Sequence, residues 1–160
     1  MTTETASFSV ITADALLGNW QGHRRVTRMT IEAFPEDQLF QFSLGGMRTF
    51  GEMVLEMIGM AVPIVKGVST GDWVEFKPAK PQTKSELLSL WDAQTGELDD
   101  NFAKIPPARF PAIDKAFGAW EMSGVAMIQY AIDNEIHHRG EGYVYLRALG
   151  IEPPPFWDRN

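Results

Sequence analysis

Two histidines stand side by side in "IDNEIHHRGEGYVYLRALG", residues 132–150, and His138 lies one helical turn beyond Asn134. That spacing lets a single helix offer two ligands to one metal ion. Met127 and Ala131 precede the two on the same face, and Tyr145 and Leu149 follow. His137 points about 100° away from its neighbour, so only one of the pair serves such an ion, and the periodicity selects His138. His137 is then a surface residue or a support for the ligand. A third donor lies in "TFGEMVLEMIGM", residues 49–60, where Glu56 is the only charge between Glu52 and Lys66 and shares its face with Met53, Met60 and Ile64. A carboxylate among such neighbours is paired, protonated or bound to a cation, because burying it alone is expensive. The plainer alternative is a helix edge where Glu56 meets water. His23, on the inward stripe of an earlier segment, is a candidate acid or base, or else a hydrogen-bonded core histidine. Arg139 is a candidate anion clamp, or else pairs with Glu135 or Glu141 on the helix surface.

Such groups need rigid elements to hold them, and four segments read as helices. The first runs from about Thr12 to Ala33, with Thr12 as N-cap and Phe34-Pro35 ending it. Leu16, Trp20, His23, Thr27 and Ile31 recur along one side at helical spacing. The second opens at the capping box of Thr49 and Glu52 and continues to about Lys66, with a kink near Pro63. A second capping box, Thr83 with Glu86, starts a helix that reaches about Ala103. "KIPPARFPAIDK" cannot prolong it, since each proline lacks a donor and clashes with the preceding turn. The fourth helix spans about Ser123 to Leu149, with Gly150 as its cap and "PPP" beyond. Gly140 and Gly142 inside it each cost about 1 kcal/mol relative to alanine, so close packing or site geometry retains them. Four helices joined by medium loops predict an all-α four-helix bundle, in which 34–48 and 67–82 have room for crossover connections.

With 160 residues and 44% hydrophobic content, the chain suits one domain over 1–160. The most apolar stretch, residues 53–65, is short and carries a carboxylate, so no segment is expected to cross a bilayer. "MTTETASFSV" lacks the basic and apolar regions of a secretory signal. Without cysteine there is no disulfide, thiolate metal site or cysteine nucleophile, which fits a cytoplasmic protein. A net charge of −7 argues against nucleic acid as a partner. "HRRVTR", residues 23–28, is a local basic turn that reads as a solvated face.

"TFGEMVLEMIGM" and "NEIHHRGEGYVYLRALGIEPPPFW", together with "FPEDQLFQF" after the first helix, resemble the DinB-like, or YfiT-like, superfamily of metal-dependent proteins. The resemblance implies an up-down-down-up bundle, often a homodimer, with a divalent cation held between the second and fourth helices. Three histidines usually make that site. Their positions fall here on Glu56, Asn134 and His138, and Glu141 replaces a glutamine of the family pattern. One carboxylate, one amide oxygen and one imidazole form a harder ligand set than three imidazoles. Zinc or nickel should bind it more weakly, and manganese or magnesium should be relatively better tolerated. Family members with assigned activities include thiol-cofactor transferases and isomerases. The implied function is therefore a transfer or hydrolysis step on a small molecule, with a cation on Glu56 and His138 activating water or a thiolate. Without metal, Glu56 and His138 could serve as an acid/base dyad. The alternative is a non-catalytic binding protein that keeps the scaffold. "PPPFWDRN" would then dock on the bundle or on a second copy through Phe156 and Trp157, and the loop holding Trp73 could cover the site mouth.

Overall fold

A computed structural model describes residues 10–160. Four helices dominate it: α1 (Ala13–Ala33), α2 (Phe50–Thr70), α3 (Lys84–Phe102) and α4 (Gly124–Ala148). Each begins where a hydroxyl side chain takes up a free backbone N–H. Thr12 accepts from Ala15, Thr49 from Glu52, Thr83 from Glu86 and Ser123 from Ala126. The box at Thr49 is complete. At Thr83 it is shifted, because the Glu86 carboxylate accepts from the N–H of Gln82, 2.7 Å away, one residue before the cap.

Helix α2 does not stop near Lys66. It runs through Pro63 to Thr70 and closes on Gly71, whose φ of 82° is the left-handed conformation that glycine adopts without a Cβ penalty. At the end of α4 the Ile151 N–H reaches the Leu146 carbonyl at 2.8 Å, and the Gly150 N–H reaches that of Arg147 at 3.0 Å. This paired motif ends the helix at Gly150. Between α3 and α4 lies a short antiparallel hairpin that the sequence reading did not anticipate, β1 (Ile113–Ala116) with β2 (Trp120–Ser123), in register Ile113 to Ser123. Its turn places Phe117 (φ 49°) and Gly118 (φ 70°) in the left-handed region.

Cross-helix contacts fix the directions. Trp20 meets Glu135 and His23 meets Arg139, so α1 and α4 run parallel. Gln21 meets Asp99 while Arg28 meets Asp92, so α1 and α3 are antiparallel. A Cβ on Gly142 would strike the Phe50 ring and one on Gly124 would strike Val68, so α2 and α4 are antiparallel. The bundle is therefore up-down-down-up, with α1 facing α2 across the diagonal. Helices α2 and α3 are parallel neighbours, so the 71–83 segment must return along the length of the bundle. A helix of 21 residues spans about 30 Å, and this stretch covers it with neither helix nor strand.

The core has two apolar clusters. One holds Trp20, Ile64, Val65, Leu98 and Ile128; the other holds Phe34, Phe50, Ile58, Trp91 and Tyr145. Buried polar residues His23, Arg24, Thr27, Gln94, Glu135, His138 and Arg139 stand between these residues along the helices.

Three expectations change. The "HRRVTR" turn is not a solvated face. Arg24 is 1% exposed, stacks 3.9 Å above the Trp91 ring and donates to the Trp91 carbonyl, because this side of α1 packs on α3. By length and composition α2 could cross a bilayer, with a mean hydropathy of 1.4, but 61% of that window is buried inside the bundle. The helix continues five residues beyond Val65, where the most apolar stretch of sequence ends. The C-terminal tail docks on its own α1 through Arg159, which lies against Gly22 and donates to Asn19, while Phe156 and Trp157 stay exposed. The stretch read for a secretory signal falls, up to Ser9, outside the described residues.

The two glycines of α4 are not equivalent. Around Gly142 the Phe50 ring is 2.4 Å from an added Cβ, whereas Gly140 has nothing within 4 Å. Gly142→Ala should therefore cost about 1–3 kcal/mol by overpacking. Gly140→Ala should be stabilising by up to about 1 kcal/mol. Urea unfolding of the two variants checks this, and equal midpoints would contradict it.

Candidate functional site

Glu56, Asn134 and His138 do converge. They lie between α2 and α4, whose antiparallel packing sets Glu56 opposite one turn of α4. The Asn134 amide donates to Glu56 Oε1 at 2.9 Å, and His138 Nε2 lies 3.1 Å from the same oxygen. The other carboxylate oxygen accepts from Arg48, whose second guanidinium nitrogen is 3.4 Å from His138 Nε2. Burial alone would raise the Glu56 carboxyl, but hydrogen bonds from Asn134, Arg48 and His138 outweigh it and lower the pKa to about 2. Glu56 is thus a carboxylate at neutral pH.

On its other side the His138 ring meets a second carboxylate, with Nδ1 2.6 Å from Glu141 Oε2. Glu141 also approaches His137 Nε2, at 3.7 Å. The three side chains bring one ligand atom each within 4.8 Å of one another, a His/Glu cluster that could hold an ion. Glu141 follows at i+4 from His137 and i+3 from His138, so it bridges the angle between them.

Glu56 also lines a cleft of about 610 Å³. Its walls are Leu55, Met60 and Ile64 from α2, Phe117, Trp120 and Met122 from the hairpin, and Met127 and Tyr130 from α4. Glu75, Phe76, Lys77 and Pro78 of the returning segment close it. That segment lines the cleft with Phe76, which is half-exposed. Trp73 instead packs over Gly67 and edge-on against Phe117.

His23 and Arg139 form a separate group, between α1 and α4. The Arg139 guanidinium donates to the His23 carbonyl at 3.0 Å and to the Thr27 hydroxyl at 3.2 Å, and its other nitrogen lies 3.1 Å from His23 Nδ1. Arginine has only donors, so Nδ1 accepts and the neutral ring carries its proton on Nε2. Burial, then the charges of Arg139 and Arg159, lower the His23 pKa to about 4. Arg139 does not pair on the surface with Glu135, because both are buried. The Glu135 carboxylate accepts from Trp20 Nε1 at 3.0 Å and from the Thr27 hydroxyl at 2.6 Å. Burial pushes its pKa up, while the Arg24 charge pulls it back.

The sequence reading missed Arg48, Glu135 and the aromatic walls of the cleft. Arg48 acts from a non-helical position just before the cap, where no periodicity marks it. Glu135 and Arg139 have the i, i+4 spacing of an ordinary surface pair.

The sequence pattern of the DinB family matches residues 1–159. The chain belongs to the DinB family. Over 151 residues it is 22% identical to the uncharacterized protein YjoA of Bacillus subtilis strain 168, an alignment that covers 92% of this chain and 97% of that protein. The crystal structure of that DinB-like protein superposes with a TM-score of 0.74, over 89% of this chain and 96% of the other. A DinB-like protein of Bacillus cereus ATCC 10987, 17% identical, gives a TM-score of 0.71 over 89% and 95% of the two chains. At these identities the likeness is one of fold.

The resemblance to the DinB-like superfamily implies a divalent cation on Glu56, Asn134 and His138. Asn134 Oδ1 is buried without a hydrogen-bond partner and would be an acceptor for an ion. Both Glu56 oxygens, however, are already engaged, and the Arg48 guanidinium touches Glu56 and His138 together. Like unit charges about 4 Å apart repel by roughly 4 kcal/mol near a protein surface, and a divalent ion doubles that. With Arg48 in this position the residues do not fit a divalent cation.

Acid should weaken the two groups in sequence. His23 binds its proton at about pH 4 when folded against 6.5 when unfolded, so the unfolded chain takes up a proton first and stability falls from pH 6.5 to about 4. Glu56, held at about 2 against 4.5, contributes stability above pH 4.5 that is lost as the pH falls towards 2. Urea midpoints against pH should decline less between 6.5 and 4 in His23→Gln, and less between 4.5 and 2 in Glu56→Gln. Glu135→Ala should cost about 3–5 kcal/mol at pH 7, since it strips the carboxylate from beside buried Arg24 and Arg139.

Proposed function

We propose that this DinB-family protein takes a small amphiphilic molecule into the cleft, and that His138 exchanges a proton with the polar end of that molecule. The reaction class that suits it is transfer or hydrolysis, carried out without a resident metal. The observation that carries this reading is the double role of Glu56, which lines an apolar cleft and is bonded to His138. A cleft of this size, lined mainly by apolar and aromatic side chains with a few convergent polar groups, has the character of a small-molecule site.

The surroundings of His138 suit proton exchange. With Nδ1 facing Glu141, the working nitrogen is Nε2. When Nε2 carries a proton, that proton is donated to Glu56, and when it does not, the lone pair accepts from Arg48. Each state therefore finds a partner, and neither requires the ring to move. Glu141 orients the ring, as a carboxylate does behind a catalytic imidazole. Glu56, a carboxylate at neutral pH, lies 3.1 Å from Nε2. A non-catalytic binding role is the second reading. It is favoured by the same saturation, since Glu56 already satisfies Asn134, Arg48 and His138 without a ligand.

The fluorescent probe 8-anilinonaphthalene-1-sulfonate should bind the folded protein and lose at least tenfold in affinity in Met60→Trp, which fills the cleft, with near-ultraviolet circular dichroism unchanged. Undiminished binding in that variant would remove the cleft from the proposal. Hydrolysis of p-nitrophenyl butyrate should fall at least tenfold in His138→Asn while probe binding persists. Equal rates in the two proteins would leave binding alone as the function.

A further inference from the structure

The Glu56–Asn134–His138 cluster carries a positive charge supplied by the chain itself, from the half-exposed side chain of Arg48. Arg48 donates to one Glu56 oxygen and lies against His138 Nε2. Its backbone is fixed from two sides. The hydroxyl of Tyr145, a residue of α4 with no exposed surface, donates to the Arg48 carbonyl at 2.8 Å. The next residue, Thr49, is locked in the capping box of α2. Both helices that build the site thus also hold the backbone from which this guanidinium reaches it.

We infer that Arg48 is the resident cation of the site, a tethered guanidinium in the place where a divalent ion would sit. Guanidinium matches the chemistry of the position. It is permanently charged, and its fork of donors can serve a carboxylate and an imidazole at once. The chain needs no metal supply to neutralise Glu56, and divalent ions are kept out while Arg48 stays. Asn134 turns its NH2 to Glu56, and its Oδ1 is a buried acceptor without a partner that a half-turn of the amide would present to an ion. Removing the guanidinium leaves a carboxylate, an imidazole and, once the Asn134 amide turns over, an amide oxygen, a set that suits zinc or manganese. The inference does not depend on what the cleft binds.

Titration calorimetry of the full chain with zinc chloride tests it, in a His137→Ala background that removes the exposed ligand of the neighbouring His137–His138–Glu141 group. His137→Ala alone should bind zinc only at millimolar concentration. Adding Arg48→Met should tighten binding at least tenfold, and adding Glu56→Gln to that protein should abolish the gain. The inference is overturned if the Arg48→Met protein gains no affinity, or if the parent already binds zinc tightly through Glu56. Should Arg48→Met fail to fold, Arg48→Lys and Arg48→Gln decide the matter. Lysine should keep zinc out and glutamine, which retains length and a donor but no charge, should admit it. The same affinity in both would overturn the inference.

Discussion

A single buried carboxylate organises the middle of this bundle. Glu135 is 2% exposed and sits near two buried arginines, Arg24 and Arg139. Burying it alone would be prohibitive; with Trp20 and Thr27 donating to its oxygens and the two guanidinium charges nearby, it ties α4 to α1 and, through Arg24, to α3. Such a belt has only one satisfactory register. A shift of α1 along α4 by one turn would leave several charged groups without partners, whereas the apolar residues on either side would tolerate it.

This constraint also separates two kinds of polar chemistry on one helix. Glu135 and Arg139 face α1, where both are buried and hydrogen-bonded. Asn134 and His138, one residue earlier in each case, face α2 and reach Glu56 at the end of the cleft. The helical offset of about 100° between neighbours puts a structural network and a candidate reactive one side by side without merging them. His23, which shares the sequence spacing of a site residue, belongs to the sealed side because its Nδ1 is held by Arg139.

The sequence was most legible where the controlling physics is local. Hydroxyl caps at Thr12, Thr49 and Thr83 marked three of the four helix starts, and one face of α4 correctly brought Asn134 and His138 together opposite Glu56. Legibility failed where partners come from distant segments. Arg24 and Glu135 look like surface charges until the neighbours of α1 and α4 are known. The hairpin was hidden because its strands are four residues each and its turn puts a phenylalanine at positive φ, so neither alternation nor a Gly-Asn turn signals it. Arg48 was hidden because it reaches the site from a loop.

The cleft has two unlike sides. One is formed by α2 and α4, anchored by the belt and by core packing; the other is the unpaired returning segment around Phe76 together with a small hairpin. Local opening free energies follow burial and backbone hydrogen bonding, so the outer side can detach while the helices remain folded. The cleft thus joins a firmly packed floor to a loosely held rim, and a molecule lying in it would touch two surfaces of unequal stiffness.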